Sequence, residues 1–203
     1  MNERTNQKAR TRMAIVIACR ELIQTGAVVT IPEIAARALV SEATVYRYFP
    51  DLVSLVNDAL VGLWPSPAEA LEPIAGSTDP IERIAFASEV FLWRVLGYQG
   101  AVRSMIAATI TRPGGAAARP GFRFAWLEYA LAPAQAALSP ADAEAFARLK
   151  RDLAVVVSAE ALFTLIDLCR LSPDDAIASA VQLAASITAA ALRGSSAAPA
   201  AHS

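Results

Sequence analysis

Apolar residues recur at helical spacing along almost the whole chain, and this feature most constrains its fold. In the first helical stretch, Ile15, Ala18 and Leu22 fall on one face. The alternation expected of a strand is nearly absent, and the one β-branched cluster, residues 28–30, is too short to form one. With 55% hydrophobic and 18% charged residues, the chain can bury a sizeable core. The pattern predicts an all-α fold.

Local capping signals divide this pattern into about nine helices. Gly26 is placed to end the first, and Thr30 and Glu33 form the Thr-x-x-Glu capping-box pattern of the second. Ser41 is a favourable N-cap for the third. Much further along, one long helix is expected over residues 139–171.

Two closely spaced prolines after Trp64 are typical of a linker. Residues 1–64 are predicted to form an N-terminal arm and a three-helix head. Residues 65–194 are predicted to form a second helical domain, and residues 195–203 a disordered tail. Within the second domain, the stretch 112–121 is rich in glycine, proline and alanine and is expected to be a mobile loop.

Histidine and cysteine are nearly absent, which excludes several chemistries. The one histidine is His202, and the two cysteines are Cys19 and Cys169. They cannot assemble a zinc site, a histidine-dependent catalytic triad or a disulfide framework. We therefore expect no enzyme activity, no metal and no cofactor.

The mean hydropathy of +0.41 raises the question of membrane insertion. The charge-free stretch 176–192 contains serine, glutamine and threonine and is largely alanine, so it is short and weakly apolar for a spanning helix. No signal-peptide pattern is found at the N-terminus. The expectation is a cytoplasmic protein with no membrane partner.

Two short helices joined by a tight turn, over residues 31–49, have helix-turn-helix proportions. On a helical wheel of the second one, Val45 and Phe49 share a face that suits the core. Tyr46 and Arg47 lie on the other side, where they can meet phosphates or base edges in a DNA major groove. This pattern predicts double-stranded DNA as a partner.

The first twelve residues contain four basic side chains and one acidic one. A flexible basic arm beside a DNA-reading helix can follow phosphates or enter the minor groove. The alternative is an ordinary solvated terminus. The full set of predicted DNA-contacting residues is Arg4, Lys8, Arg10, Arg12, Thr30, Ser41, Glu42, Ala43, Thr44, Tyr46, Arg47 and Tyr48.

Residues 13–63 resemble the DNA-binding domain of TetR-family transcriptional regulators. The resemblance rests on the pair Ile34-Ala35, on Val40-Ser41 in the turn, and above all on the string from Thr44 to Phe49 (Thr-Val-Tyr-Arg-Tyr-Phe). It implies that the head binds an operator and that the second domain binds a small molecule and forms a homodimer.

Three positions depart from the family's pattern. Leu39 stands in the turn where the family usually has glycine, and Leu52 stands where a lysine commonly opens the fourth helix. Glu42 replaces a basic or small residue, and its carboxylate repels phosphate but can accept from a cytosine amino group. Two missing cations predict weaker nonspecific DNA binding than is typical of the family.

Aromatic residues are concentrated in the middle of the second domain, and two acids lie in an apolar run behind them. The predicted ligand-binding residues are Phe86, Phe91, Trp93, Phe122, Trp126, Tyr129, Glu160, Phe163 and Asp167. The alternatives are that the aromatics form plain core and that the two carboxylates pair with nearby arginines, Arg94, Arg103 or Arg170.

The last two helices present more apolar and small residues than one neighbour needs, which favours a dimer interface in a four-helix bundle. The predicted interface residues are Val155, Ala159, Leu162, Ile166, Ala178, Val181, Ala185, Thr188, Ala189 and Leu192. A twofold dimer presents two reading helices to half-sites about one DNA turn (~34 Å) apart.

The favoured interpretation is a ligand-responsive repressor that binds a palindromic operator as a dimer and is released by a small, largely apolar effector. Two alternatives stay open. One is a helix-turn-helix activator or partner-dependent regulator without an effector. The other is an all-helical small-molecule or lipid carrier, or an enzyme, with a vestigial head.

Overall fold

The computed structural model describes residues 3–111, 121–136 and 142–196. Over these residues the chain is all-helical and has no strand, with eleven α-helices and one 3₁₀ helix at Glu72–Ile74. The helices are α1 (Glu3–Gln24), α2 (Ile31–Arg37), α3 (Glu42–Tyr48), α4 (Leu52–Leu60), α5 (Pro67–Ala70), α6 (Pro80–Gly97), α7 (Gln99–Thr111), α8 (Phe122–Ala136), α9 (Ala143–Val156), α10 (Ala159–Asp167) and α11 (Pro173–Ser196). Most of the predicted mobile loop, His202 and residues 197–203 of the predicted tail lie outside the described residues.

The helix count of about nine was too low, chiefly because the long helix expected over residues 139–171 is two helices. The backbone leaves the helical region at Val157 (φ −85°, ψ 70°), and Ser158 then caps α10. The Ser158 hydroxyl accepts from the Ala161 N–H at 3.0 Å and donates to the Val155 carbonyl at 2.8 Å. A serine that bonds the backbone in this way competes with the helix and restarts it. The four-residue α5 was also not predicted.

The described chain forms two compact units. The first contains residues 3–64 and 97–111, and the second contains residues 65–96, 121–136 and 142–196. This differs from the predicted division into residues 1–64 and 65–194, because α7 returns to the first unit and packs against α4.

The core of the first unit is built by α1 to α4 together with α7. Ile15, Ile34, Val45 and Leu55 are fully buried in it, and α7 contributes Met105. Each of the first four helices therefore has one face fixed by the core.

The contact between α7 and the loop before α2 is unusually close. A Cβ atom on Gly100 would lie 2.1 Å from the Ala27 carbonyl oxygen, so only glycine fits there. The Ser104 hydroxyl donates to the Gly100 carbonyl at 2.9 Å and accepts from the Val29 N–H at 3.0 Å. These bonds hold α7 on the head.

The N-terminal arm is helical, so the expectation of a flexible arm was wrong. Helix α1 begins at Glu3 and runs without interruption to Gln24. Residues 3–25 contain neither glycine nor proline, and the basic stretch consists largely of good helix formers. Gly26, with φ +75°, ends the segment as expected.

In the second unit, a buried arginine compensates for a proline inside α8. Pro133 has no N–H to donate to the Tyr129 carbonyl. Arg83, only 4% exposed, donates from Nη2 to that oxygen at 3.0 Å and from Nε to the Ala130 oxygen at 2.8 Å. A third bond runs from Nη1 to the Ser77 carbonyl at 3.2 Å. The guanidinium satisfies backbone groups that the interrupted helix leaves exposed in the core.

Helix α11 is apolar along most of its length. Over Pro173–Arg193 it is long and apolar enough to cross a membrane by length and composition, contrary to the expectation from residues 176–192. A single helix of this kind is weak evidence for a membrane protein, because packed helices of soluble proteins pass the same test.

Candidate nucleic-acid interface

The start of α2 is fixed by the predicted Thr30 and Glu33 pair. The Thr30 hydroxyl accepts from the Glu33 N–H at 3.4 Å and donates to the Glu33 carboxylate at 2.8 Å. The two residues are thus joined by two hydrogen bonds, and this cap fixes the residue at which the helix-turn-helix begins. Thr30 was predicted to contact DNA, but its half-buried hydroxyl is engaged in this cap.

The turn between α2 and α3 is a Schellman motif with a leucine in the left-handed position. The Leu39 N–H donates to the Ala36 carbonyl at 3.2 Å, and the Val40 N–H donates to the Ala35 carbonyl at 3.0 Å. Leu39 has φ 56°, a conformation that costs a residue with a side chain about 1–2 kcal/mol. The leucine therefore adopts the bend that the family usually gives to glycine.

Helix α3 is capped by Ser41 and sorted into two faces as the sequence predicts. The Ser41 hydroxyl accepts from the Thr44 N–H at 3.2 Å and lies 2.9 Å from the Thr44 hydroxyl. Val45 and Phe49 are buried in the core of the first unit, and Tyr48 is half-buried against it. This anchoring determines which side chains remain outside.

The outer face of α3 carries the predicted chemistry. Glu42, Ala43, Tyr46 and Arg47 are exposed, whereas Thr44 is half-buried. The Arg47 guanidinium carbon lies 5.4 Å from the ring centroid of Tyr48, a cation–π distance that restrains the arginine. A phenol, a carboxylate and a guanidinium are therefore presented together on one short helix.

Of the four basic residues predicted to form the arm, Arg12 has a different environment. Its guanidinium forms an ion pair with Asp58 on α4 and lies 5.0 Å from the ring centroid of Phe49. Arg12 thus joins α1 to the end of α3 and to α4, so its guanidinium has a structural role. Lys8 and Arg10 are exposed on α1. The side chain of Arg4 lies outside the described residues.

The two family departures near α4 and α3 have clear structural consequences. Leu52 is half-buried against the core, so the start of α4 offers an apolar side chain where a lysine would offer a cation. Glu42 is exposed in the first turn of α3.

Sequence reasoning missed Arg20, whose Nε and Nη2 donate to the carbonyls of Ala59 and Val61, both at 2.8 Å. These bonds cap the C-terminal end of α4. The position of Arg20 within α1 gives no indication of this role, because the bonds join two helices that are distant in sequence.

The predicted ligand-binding residues of the second unit are only partly brought inside. Phe91 and Trp126 are buried and meet edge to face, with ring centroids 5.7 Å apart, and Phe163 is also buried. The remaining aromatic residues of that set are half-buried or exposed: Phe86 half-buried, and Trp93, Phe122 and Tyr129 exposed. An internal aromatic pair is present, whereas a continuous aromatic wall is not.

Neither predicted acid is a buried, isolated carboxylate. Glu160 is half-buried and pairs with Arg123 at 3.1 Å, while Arg123 also donates to the Ala154 carbonyl at 2.9 Å. Glu160 therefore pairs with an arginine, as the alternative interpretation expected, but its partner is Arg123 and not Arg94, Arg103 or Arg170. Asp167 is exposed at the end of α10, so its carboxylate is not buried in the apolar run that contains it.

The residues predicted to form the dimer interface also differ in burial, and some of them are inaccessible to a second chain. Leu162 and Thr188 are fully buried inside the protomer and Ala159 is buried, so they present no surface to a second chain. Val155 and Ala178 are exposed, and the half-buried ones are Ile166, Val181, Ala185, Ala189 and Leu192. Leu183, which the sequence set omits, is 50% exposed on α11.

The two thiols differ between the units. Burial raises the pKa of the Cys19 thiol to about 12, against a smaller lowering by the Arg20 charge, so this thiol is unreactive in the folded head. Cys169 is exposed. Over the described residues, no group of histidine, cysteine and carboxylate side chains is arranged to hold a metal ion.

Comparison with protein families identifies the head. Residues 15–59 match the family described as bacterial regulatory proteins, tetR family. Comparison with curated proteins and with solved structures gave no significant similarity. The matched segment contains the C-terminal part of α1, all of α2 and α3, and nearly all of α4. Tyr46 and Arg47 lie on α3, within this segment. The head therefore carries the DNA-binding domain of TetR-family transcription regulators.

Proposed function

We propose that this regulator is a homodimeric repressor that binds a palindromic operator and is released by a small, largely apolar effector in the cytoplasm. The observation that carries the DNA-binding part is the sorted α3 helix. Its inner face is fixed by Val45 and Phe49, and its outer face presents Tyr46 and Arg47. Arg47 binds guanine or phosphate, and Tyr46 binds phosphate.

The dimer is proposed to form through α10 and α11, together with the C-terminal end of α9. Leu183 on α11 and Val155 at the end of α9 expose large apolar side chains, and α11 is rich in alanines that allow helices to approach closely. Burying this surface against a second copy gives a twofold arrangement of two heads. The matching operator has half-sites about one DNA turn (~34 Å) apart.

The effector is proposed to bind beside the Phe91 and Trp126 pair. Ser88 lies one turn before Phe91 on α6, is fully buried, and has a hydroxyl with no hydrogen-bond partner among the described residues. Buried hydroxyls usually have a partner, since an unmade hydrogen bond is costly. An apolar ligand with one polar group matches this combination.

Release is proposed to pass along the chain from α6 to α7. The first segment of the second unit ends with Leu96 near the end of α6, and the chain then enters the first unit, where α7 packs against α4. An effector that favours a shifted α6 would therefore displace the helix that holds the head. The effector shifts this equilibrium only by its differential affinity for the two states.

Selection of bound duplexes from a random 30-base-pair library tests the proposal. The wild-type protein is expected to enrich a palindrome, and sedimentation of the complex is expected to give two protein chains per duplex. Enrichment of an asymmetric single half-site would contradict the dimer. No enrichment at all would contradict the regulator and favour a carrier with a vestigial head.

A further inference from the structure

The turn before α3 carries a large apolar side chain that the protein itself does not use. Leu39 is 91% exposed, which makes it the most exposed large hydrophobic residue in the described chain. Its neighbour Val40 is half-buried and packs on the core of the first unit. The apolar contact that usually accompanies a Schellman motif can therefore be made by Val40, not by Leu39.

The backbone at Leu39 is strained as well. Its φ of 56° lies in the left-handed region, where glycine or asparagine is the ordinary occupant. Within the folded chain, Leu39 combines this strain with a side chain that remains in water. Neither feature contributes to the stability of the free protein, so folding does not account for the leucine.

The position of Leu39 indicates what covers it. It lies two residues before Ser41, the N-cap of α3, whose outer face carries Tyr46 and Arg47. In helix-turn-helix complexes the N-terminal residues of the second helix approach the bases while the preceding helix crosses the backbone. The turn between them consequently lies at the edge of the major groove. The apolar groups found there are thymine methyl groups and deoxyribose C–H groups.

We infer that Leu39 is a DNA-contacting residue that packs its side chain on an apolar C–H surface at the edge of the major groove. The inference rests on the proposed DNA binding. It adds an apolar contact to a face otherwise made of polar and charged groups, and it makes the turn a determinant of affinity.

The test compares three substitutions in the full-length protein on the duplex enriched by the wild type. Leu39→Gly removes both the side chain and the strain, and Leu39→Asn removes the strain but keeps a polar side chain. Both are expected to raise the unfolding midpoint by about 2–4 °C. Both are expected to weaken binding about five- to tenfold, as expected for the loss of a partly buried leucine. Leu39→Met keeps an apolar side chain and is expected to stay within about twofold of wild type.

A second arm identifies the apolar group, with deoxyuridine in place of thymidine in the same duplex. If Leu39 contacts a thymine methyl, removing the methyls weakens the wild type but not Leu39→Gly. If it contacts deoxyribose, the replacement affects both proteins equally while Leu39→Gly stays weaker. Equal affinity of Leu39→Gly and wild type for the unmodified duplex would overturn the inference. That outcome is distinct from failure of the proposed function, in which the wild type enriches no duplex.

Discussion

Two arginines, one in each compact unit, have opposite roles. In the first unit, Arg47 is exposed on the outer face of α3, where its guanidinium lies over the ring of Tyr48. In the second unit, Arg83 is buried and donates to two backbone carbonyls near the proline of α8 and to the Ser77 carbonyl. The same side chain thus serves as a candidate ligand for DNA in one unit and as an internal brace in the other.

The difference teaches that a charge count does not locate a binding surface. The chain has 18 basic and 19 acidic side chains, and its net charge of −1 suggests no particular partner. What separates the arginines is which atoms surround each guanidinium. Arg12, at the edge of the proposed interface, has a structural role like that of Arg83, because its guanidinium already contacts Asp58 and Phe49.

The largest expected effect is on the brace of the second unit. Arg83→Met is expected to lower the free energy of unfolding by about 3 kcal/mol, because several buried carbonyls lose their donor. Chemical denaturation followed by circular dichroism measures the change. It should leave the affinity of the remaining folded protein for the selected duplex unchanged.

Pro133→Ala provides the control for Arg83, since an alanine at that position supplies an N–H to the Tyr129 carbonyl. In the Arg83→Met background this second change is expected to recover about 1 kcal/mol more than it does in the wild type. Identical effects of Pro133→Ala in both backgrounds would show that the arginine does not compensate for the proline.

A smaller effect is expected at Arg12, where the comparison of roles is closest. Arg12→Met should destabilise the first unit by about 1 kcal/mol, because the ion pair is half exposed to solvent. The rate at which a thiol reagent labels the buried Cys19 reports this opening, while labelling of the exposed Cys169 stays constant.

The salt dependence of DNA binding separates Arg12 from Arg10. Arg10→Met is expected to reduce the slope of log affinity against log salt by about one, as expected for a lost phosphate contact. Arg12→Met should leave the slope unchanged. A loss of slope for Arg12 and none for Arg10 would reverse the assignment.

The smallest expected effect is on nonspecific DNA affinity, when a lysine replaces Leu52. Leu52→Lys places an amine at the start of α4, where the family commonly has one, and should increase the salt slope by about one. Affinity for a random duplex is expected to rise by a similar factor to affinity for the selected one. An increase confined to the selected duplex would indicate a base contact and contradict a phosphate role.

The two faces of α3 could be predicted because its sequence has strong contrasts. Val45, together with Phe49 at the C-cap, lies opposite Glu42, Tyr46 and Arg47 on a helix of seven residues, so only one orientation buries the apolar side. The ion pair of Arg12 could not be predicted in the same way. It depends on Asp58, which lies 46 residues away.

The second unit was harder to predict because local contrast is weak there. Helix α11 is so rich in alanine that Thr188, which is buried, and Ala178, which is exposed, look equally suitable for an interface. The break at Ser158 lies in an apolar run, where a single hydroxyl gives little warning of a new helix. The placement of these residues depends on tertiary packing and not on periodicity.

The central claim, that the outer face of α3 reads DNA, is tested most directly by competition binding with Arg47→Ala. We expect the variant to bind the selected duplex about 10- to 100-fold more weakly than the wild type, with an unchanged unfolding midpoint. Arg151→Ala removes an equal charge from an exposed pair in the second unit and should bind like the wild type. Equal affinities of the wild type and Arg47→Ala would contradict the account.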